Sequence, residues 1–293
     1  MNKIVLGTAQ FGMDYGINNK RGKVSQKEVF VILNKAMENG IDTFDTAHAY
    51  KESEKVLGEF IKFHRNKLRI ISKLPECVAN EVRDKVRDSL DRLNLSSIYG
   101  YLIHRFEDYE KDNDIWLELE KLKRQGKIEK IGFSLYFPSQ LERIIKTGLK
   151  IDIVQIPFSV FDQRFKAYFP ELRKRNVEIH VRSIFLQGLV FKKPLELDNY
   201  FKSIQSRIEK LHMLSNDTGI PVFALCLNFV FKNEFIDKVV IGVDSALQLN
   251  DLIRSSVFFH ESDKAFLLLS DLALNDENVI LPFKWPLYRE VSV

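Results

Sequence analysis

The sequence predicts a (β/α)8 barrel of the α/β class, built as one unit over residues 1–293. Three observations lead there. Eight short apolar runs rich in Val, Ile and Phe recur along the chain, and most are followed by a segment of helical periodicity. The runs are apolar almost throughout, which is the pattern of parallel strands covered on both faces. The first run is not followed by the Gly-x-Gly-x-x-Gly turn of an open dinucleotide-binding sheet, so eight units in 293 residues fit a closed barrel better.

In chain order the expected strands are Ile4–Ala9, Thr43–Ala47, Arg69–Leu74, Ile98–His104, Lys130–Tyr136, Ile153–Ser159, Val177–Ile184 and Val239–Val243. The helical segments between them carry start signals, because Ser, Asn and Asp side chains satisfy the free amides of a first turn. Ser25 with Glu28 reads as a capping box, Ser53 and Asn80 open the next two helices, and Pro138-Ser139 opens a later one. Gly40, Gly126 and Gly148 stand where helices should stop in a left-handed residue. The third helix shows an apolar stripe at Val82, Val86, Leu90 and Leu93 with Arg and Asp opposite. An additional helix pair is expected between Ser203 and Glu234, and a short tail after Asp276.

Composition narrows the class of function. Hydrophobic residues make up 45% and charged residues 29%, and 44 Lys and Arg set against 40 Asp and Glu leave a net charge of +4. The signs nearly cancel, so nucleic acid is not an expected partner. The clusters Lys121, Lys123, Arg124 and Arg173, Lys174, Arg175 lie at the polar ends of amphipathic runs and read as solvated helix faces. Cys77 and Cys226 are the only cysteines. They lack metal-ligand spacing, so no metal is expected, and a reducing cytoplasmic setting is. The N-terminus has no signal-peptide pattern, and Val222 to Phe231 is too short to span a membrane and is expected to be a buried helix.

A β/α barrel does its chemistry at the carboxyl ends of its strands, where four polar residues close apolar runs. Asp45 lies in Thr43-Phe44-Asp45-Thr46-Ala47, Tyr50 follows just past that strand, Lys73 ends Ile70-Ile71-Ser72-Lys73, and His104 ends Tyr101-Leu102-Ile103-His104. Singly, each reads as a cap, a packing residue, a snorkelling cation or a core histidine. Together, on the second, third and fourth strands, they are neighbours on one rim. The combination has a chemical logic: a carbonyl reduced by hydride becomes an alkoxide that needs a proton, and a phenol of ordinary pKa near ~10 is a poor donor at neutral pH. A nearby ammonium would lower that pKa, and a carboxylate beside the lysine would keep it charged. Tyr50 is therefore the expected general acid/base, Lys73 and Asp45 its electrostatic partners, and His104 the residue that orients the substrate oxygen.

On these residues the chain resembles the aldo-keto reductase superfamily over nearly its whole length. Leu6-Gly7-Thr8-Ala9 is similar to that family's opening strand, and residues 40–50, Gly-Ile-Asp-Thr-Phe-Asp-Thr-Ala-His-Ala-Tyr, to its most recognisable block. Ile71-Ser72-Lys73 and Leu102-Ile103-His104 match its lysine and histidine motifs in order and spacing. The resemblance implies a nicotinamide-dependent oxidoreductase in which tyrosine is the general acid/base. It also implies a cofactor lying extended across the barrel mouth, with NADP the family default.

Further cofactor positions carry over from the resemblance. Gly7 and Thr8 belong to the opening strand. Ser134 in Gly132-Phe133-Ser134 and Gln155 match the residues that contact the nicotinamide amide, while Leu135 replaces the usual asparagine. Arg182 occupies the place of an aromatic that stacks on the nicotinamide; a guanidinium there can stack on the ring, hold the pyrophosphate or hold an anionic substrate. Gln187 and Gly188 correspond to the loop that crosses the pyrophosphate. Gly242, Asp244, Ser245 and Gln248 resemble the adenosine-phosphate site. Asp244 would repel the 2′-phosphate of NADP and accept a hydrogen bond from a free ribose 2′-hydroxyl, which opens the site to NAD.

The substrate is expected to be a small carbonyl or sugar-like molecule. Aromatic residues follow the strands at Phe11, Tyr15, Phe106, Phe137 and Phe161, and His48, Arg105, Gln163 and Arg164 are polar candidates; Phe11, His48, Arg105 and Phe106 are the expected substrate contacts. Arg105 can equally form a salt bridge to Asp108. Two other functions use the same residues: a regulatory nicotinamide-binding barrel of the channel β-subunit kind, and an aldolase in which Lys73 forms a Schiff base.

Overall fold

The computed structural model describes residues 3–17, 19, 21–64, 68–254 and 263–286. Its strands are β1 (Ile4–Gly7), β2 (Thr43–Asp45), β3 (Arg69–Leu74), β4 (Ile98–Ile103), β5 (Ile128–Ser134), β6 (Ile153–Pro157), β7 (Glu178–Arg182) and β8 (Lys238–Gly242). All pair in parallel in sequence order, and β8 returns to β1, so the sheet is a closed barrel. Closure removes the two exposed edges that an open sheet would leave. Several strands stop one or two residues earlier than their apolar runs, since the ladder ends where the backbone turns into the rim loops. His104 and Tyr136 thus lie just past their strands rather than within them.

Helices α1 (Ala9–Gly12), α2 (Gln26–Glu38), α3 (Ser53–Ile61), α4 (Val82–Leu93), α5 (Phe106–Lys111), α6 (Asp114–Arg124), α7 (Pro138–Thr147) and α8 (Phe169–Lys174) follow the strands in turn. They continue as α9 (Lys202–Thr218), α10 (Val222–Phe231), α11 (Ala246–Arg254), α12 (Asp263–Ser270) and α13 (Glu277–Ile280). The pair α9 and α10 is the additional pair that periodicity predicts. Ser25 Oγ accepts the Glu28 amide at 3.4 Å and starts α2. Val82, Val86, Leu90 and Leu93 are all buried along α4. Gly40, Gly126 and Gly148 take φ near +73° (+75°, +71°, +73°), the left-handed geometry of a helix stop. Ser53 differs from expectation: it caps nothing. It is buried as the first residue of α3, with its hydroxyl bonded to Thr8 Oγ1 at 2.8 Å and Thr46 Oγ1 at 3.0 Å. A hydroxyl tied into the end of β2 outcompetes a solvent-side cap.

Residues alternate across each strand, which divides the barrel interior into levels. At the amino ends of the strands a polar cluster forms around Glu178, which accepts from Tyr99 Oη at 3.0 Å, from Lys130 Nζ and from His180 Nε2 at 3.2 Å. Ile71, Leu102 and Ile153 plug the middle. Asp45, Lys73, Ser134, Gln155 and Arg182 stand at the carboxyl ends. Most of the apolar core lies between barrel and helices, with Phe44, Tyr101, Phe133 and Trp116 among its fully buried side chains. Among the described residues no single helix is long and apolar enough to cross a membrane; α10 is largely buried, as its composition predicts.

Candidate active site

A cavity of about 410 Å³ opens at the carboxyl ends of the strands, and its floor and wall include Asp45, Tyr50, Lys73 and His104. Each reaches it for a local reason. Asp45 and Lys73 are inward-facing residues near the ends of β2 and β3. His104 is the first residue past β4, and Tyr50 sits in the turn between β2 and α3, where its amide donates to Ala47 O at 3.0 Å.

Lys73 Nζ donates to Asp45 Oδ1 at 2.5 Å and to Thr46 O at 2.8 Å, and Gln155 Nε2 donates to Asp45 Oδ2 at 2.7 Å. The carboxylate is therefore held from both sides. Burial pulls Lys73 below the ordinary lysine range and Asp45 opposes that pull; the pair has no net charge whichever member holds the proton. Lys73 Nζ lies 5.1 Å from the Tyr50 ring centroid, and the Tyr50 and His104 rings meet edge to face at 6.1 Å and 85°.

The electrostatics correct one expectation. Tyr50 is not held low by Lys73. Burial raises its pKa first, Asp45 and Tyr136 add to the rise, and the cation that works against it is Arg182. The physical reason is geometric: the Lys73 ammonium is engaged by Asp45 and Thr46, so its field at the phenol is offset by the carboxylate beside it. The phenol consequently keeps its proton throughout the neutral range. Burial, then Lys73, Arg182 and Arg105 push the His104 imidazole down to about 3, so it is neutral at physiological pH.

Arg182 is the third charged group of this floor. Its guanidinium stacks on the Tyr136 ring, 4.1 Å from the centroid, and donates to Leu135 O at 3.0 Å. Phe283 meets the Tyr136 ring edge to face, at 4.6 Å between centroids.

The cavity is lined further by Gly7 and Thr8 at the end of β1, Ser134 and Gln155 on β5 and β6, Gln187 and Gly188 after β7, and Gly242, Asp244 and Gln248 at and beyond the end of β8. Its features suit a dinucleotide. A side chain at Gly242 would meet Gln10 Nε2 at 2.5 Å. Ser183, Leu186, Gln187 and Gly188 all take positive φ, which folds the loop after β7 across the cavity mouth. Asp244 Oδ1 is a buried acceptor that no donor among the described residues reaches within hydrogen-bond distance, though Gln248 and Gln10 lie close enough to lower the pKa that burial raises. Ser245 is not on the wall; its hydroxyl accepts the Gln248 amide at 3.2 Å at the start of α11, while Gln248 Oε1 accepts the Asp244 amide at 2.7 Å. Arg21, unremarked in the sequence, donates to Asp244 O at 3.2 Å and pairs with Glu28 at 2.7 Å.

The four expected substrate contacts lie elsewhere. Phe11 is wholly buried in the core through α1, and Phe106 packs against Tyr109 and Phe133, with centroids 5.8 and 5.9 Å away. Neither ring reaches the cavity. His48 lies toward α4, where burial and then Arg92 and Lys85 lower its pKa. Arg105 is solvent-exposed and pairs with Glu76 at 3.1 Å, with Asp108 more distant at 3.9 Å. Arg164 is held by Asp162 and Glu277, each at 2.9 Å. The aromatic wall consists instead of Tyr15, Tyr136, Phe185, Phe191 and Phe223. Tyr136, in the bend after β5, lines the cavity, whereas its neighbour Phe137 does not, although both rings meet Phe283.

Residues 3–269 match the family model of the aldo/keto reductase family. Over 282 residues the chain is 25% identical to the uncharacterized oxidoreductase YqkF of Bacillus subtilis, covering 87% of this chain and 91% of that protein. A shorter match of 142 residues, 34% identical and covering 46% of this chain and 50% of the other, is to the methylglyoxal reductase DkgA of Escherichia coli O157:H7. Among solved structures, an aldo-keto reductase of Bacillus halodurans in its holo form aligns with a TM-score of 0.77, covering 93% of this chain and 92% of that one at 20% identity.

Proposed function

The chain belongs to the aldo/keto reductase family, and from that premise we propose that it interconverts a small carbonyl compound and its alcohol with Tyr50 as the proton-transfer group. It is an oxidoreductase of the NAD(P)-dependent type. The observation that carries the finer reading is the grouping of Tyr50, His104 and the Asp45–Lys73 pair at the floor of one cavity.

In the reducing direction the hydride to the carbonyl carbon would come from a nicotinamide held in the cavity. The C=O π pair then moves onto oxygen, which takes the Tyr50 proton. Burial keeps the phenol protonated until hydride arrives, and the alkoxide then forming, a stronger base than a phenolate, draws the proton from it. His104, neutral because its pKa is pushed down to about 3, donates a hydrogen bond to the same oxygen without adding charge. Asp45 anchors Lys73, and with Gln155 on its second oxygen it keeps the ammonium beneath the Tyr50 ring. The same hydrogen bonds argue against a Schiff-base role for Lys73, whose nitrogen is occupied as a donor. Ser134, Gln155, Gln187, Gly188, Gly242, Asp244 and Gln248 are the residues that would hold the dinucleotide. Methylglyoxal is the substrate named for one relative, and compounds of that size are the first to test.

Tyr50→Phe is expected to lower kcat by about a thousandfold, the middle of the range for a lost general acid, while cofactor affinity changes little. Steady-state turnover of a panel of aldehydes, ketones and sugars, with a separate binding titration by nicotinamide fluorescence, checks this. Normal turnover in the variant overturns the assignment.

A further inference from the structure

We propose that the substrate carries a carboxylate beside or near its carbonyl, and that Arg182 is the residue that selects it; this rests on the oxidoreductase reading of the same cavity. The inference begins with charge. At the catalytic floor the Asp45–Lys73 pair is neutral as a unit, and His104 is an uncharged imidazole. Arg182 adds one positive charge, and among the described residues no carboxylate lies within ion-pairing distance of it. A half-buried guanidinium without a counterion is costly, and a substrate carboxylate entering the cavity would supply one.

Geometry agrees. Stacking on Tyr136 at 4.1 Å and donation to Leu135 O at 3.0 Å hold the guanidinium plane in place. Besides that donation, one N–H approaches Ser183 Oγ at 3.4 Å, and a guanidinium has five N–H groups, so donors remain for a ligand. A planar donor edge matches the two coplanar oxygens of a carboxylate. The site offers one cation rather than a cluster, which suits a monoanion better than a phosphate dianion. Arg182 also acts electrostatically on Tyr50, Lys73 and His104 together, which places its charge near the reacting oxygen rather than at the far, Asp244 end of the cavity.

The test compares wild type, Arg182→Gln and Arg182→Lys on short 2-oxo and ω-oxo carboxylates and on their methyl esters. Wild type should favour the acids by about tenfold or more in kcat/KM, the effect of roughly 1.4 kcal/mol. Arg182→Gln should erase that preference mainly through KM, and Arg182→Lys should restore part of it. A second arm needs no turnover: with cofactor bound, butyrate should bind wild type more tightly than butyramide, and Arg182→Gln should remove the difference. Equal loss on acids and esters in Arg182→Gln, or esters preferred by wild type, overturns the inference while the oxidoreductase reading stands. Selective butyrate binding without Tyr50-dependent turnover of any carbonyl would overturn the reading of the reaction but support the anion site. No selectivity in the binding arm refutes the anion site directly.

Discussion

At the residue scale, the Asp45 carboxylate is held at the floor of the cavity from both sides, by Lys73 Nζ at 2.5 Å and by Gln155 Nε2 at 2.7 Å. Asp45, Tyr50, Lys73 and His104 are polar residues closing or following apolar strands, a pattern visible without coordinates. The field each feels was not visible, because Tyr50 is governed by burial first and then by Asp45 and Tyr136, with Arg182 opposing them, and two of these three lie more than eighty positions away in the chain. Phe11, His48, Arg105 and Phe106 were misplaced for a related reason: an aromatic or charged residue in a rim segment can turn inward, outward or into the core, and composition does not say which. Asp244 permits a sharp test at this scale. Its carboxyl lines the cavity, where burial raises its pKa and Gln248 and Gln10 work against that rise, and we propose that it accepts from a ribose hydroxyl and disfavours a 2′-phosphate. Wild type is expected to use NADH at least as efficiently as NADPH, and Asp244→Ala should raise kcat/KM for NADPH about tenfold, equivalent to roughly 1.4 kcal/mol. Kinetics with both cofactors decide it; a strong NADPH preference untouched by the substitution sinks the idea.

At the element scale, helix starts and stops follow local rules and were legible in part. Gly40, Gly126 and Gly148 end helices in left-handed geometry because no other residue adopts it at so little cost. Contacts between elements were not legible. Helix α1 packs so closely on the segment carrying Tyr50 that a Cβ at Gly12 would fall 1.8 Å from Tyr50 O and 2.5 Å from the Ser53 amide. Both neighbours are backbone, so the segment itself must move. Gly12→Ala should therefore displace Tyr50, lowering kcat by about tenfold or more, with a stability loss of about 1–3 kcal/mol. Turnover measured alongside urea unfolding checks this. Unchanged kcat in a destabilised variant would show that the segment relaxes without moving the phenol.

At the scale of the whole molecule, the barrel separates chemistry from stability along its axis. The carboxyl ends of the strands hold the cavity, and the amino ends hold the Glu178 cluster. Burial alone would raise the Glu178 pKa, but hydrogen bonds from His180 and Lys130 bring it down to about 2, against an ordinary value of 4.5. A carboxylate depressed in the folded state contributes stability that is fully present above pH 4.5 and is lost as pH falls toward 2. Glu178→Gln is expected to cost about 1–3 kcal/mol at pH 7, with the difference from wild type shrinking at pH 3. Urea denaturation at the two pH values measures it; an equal gap at both would exclude an electrostatic origin. Turnover should be affected far less than stability, since the apolar plug of Ile71, Leu102 and Ile153 stands between the cluster and the cavity.

By itself the sequence determined the closed α/β barrel and the identity of the four floor residues. Both depend on patterns with short periods: apolar runs, helical stripes, turn glycines, and polar residues closing strands. Tertiary structure alone decided which aromatics line the cavity, that Asp45, Tyr136 and Arg182 act on Tyr50, and that among the described residues no carboxylate pairs with Arg182 beside the floor residues. Those facts depend on distances between residues brought together from opposite sides of the barrel, and such distances are set by barrel closure and packing rather than by neighbours in the chain.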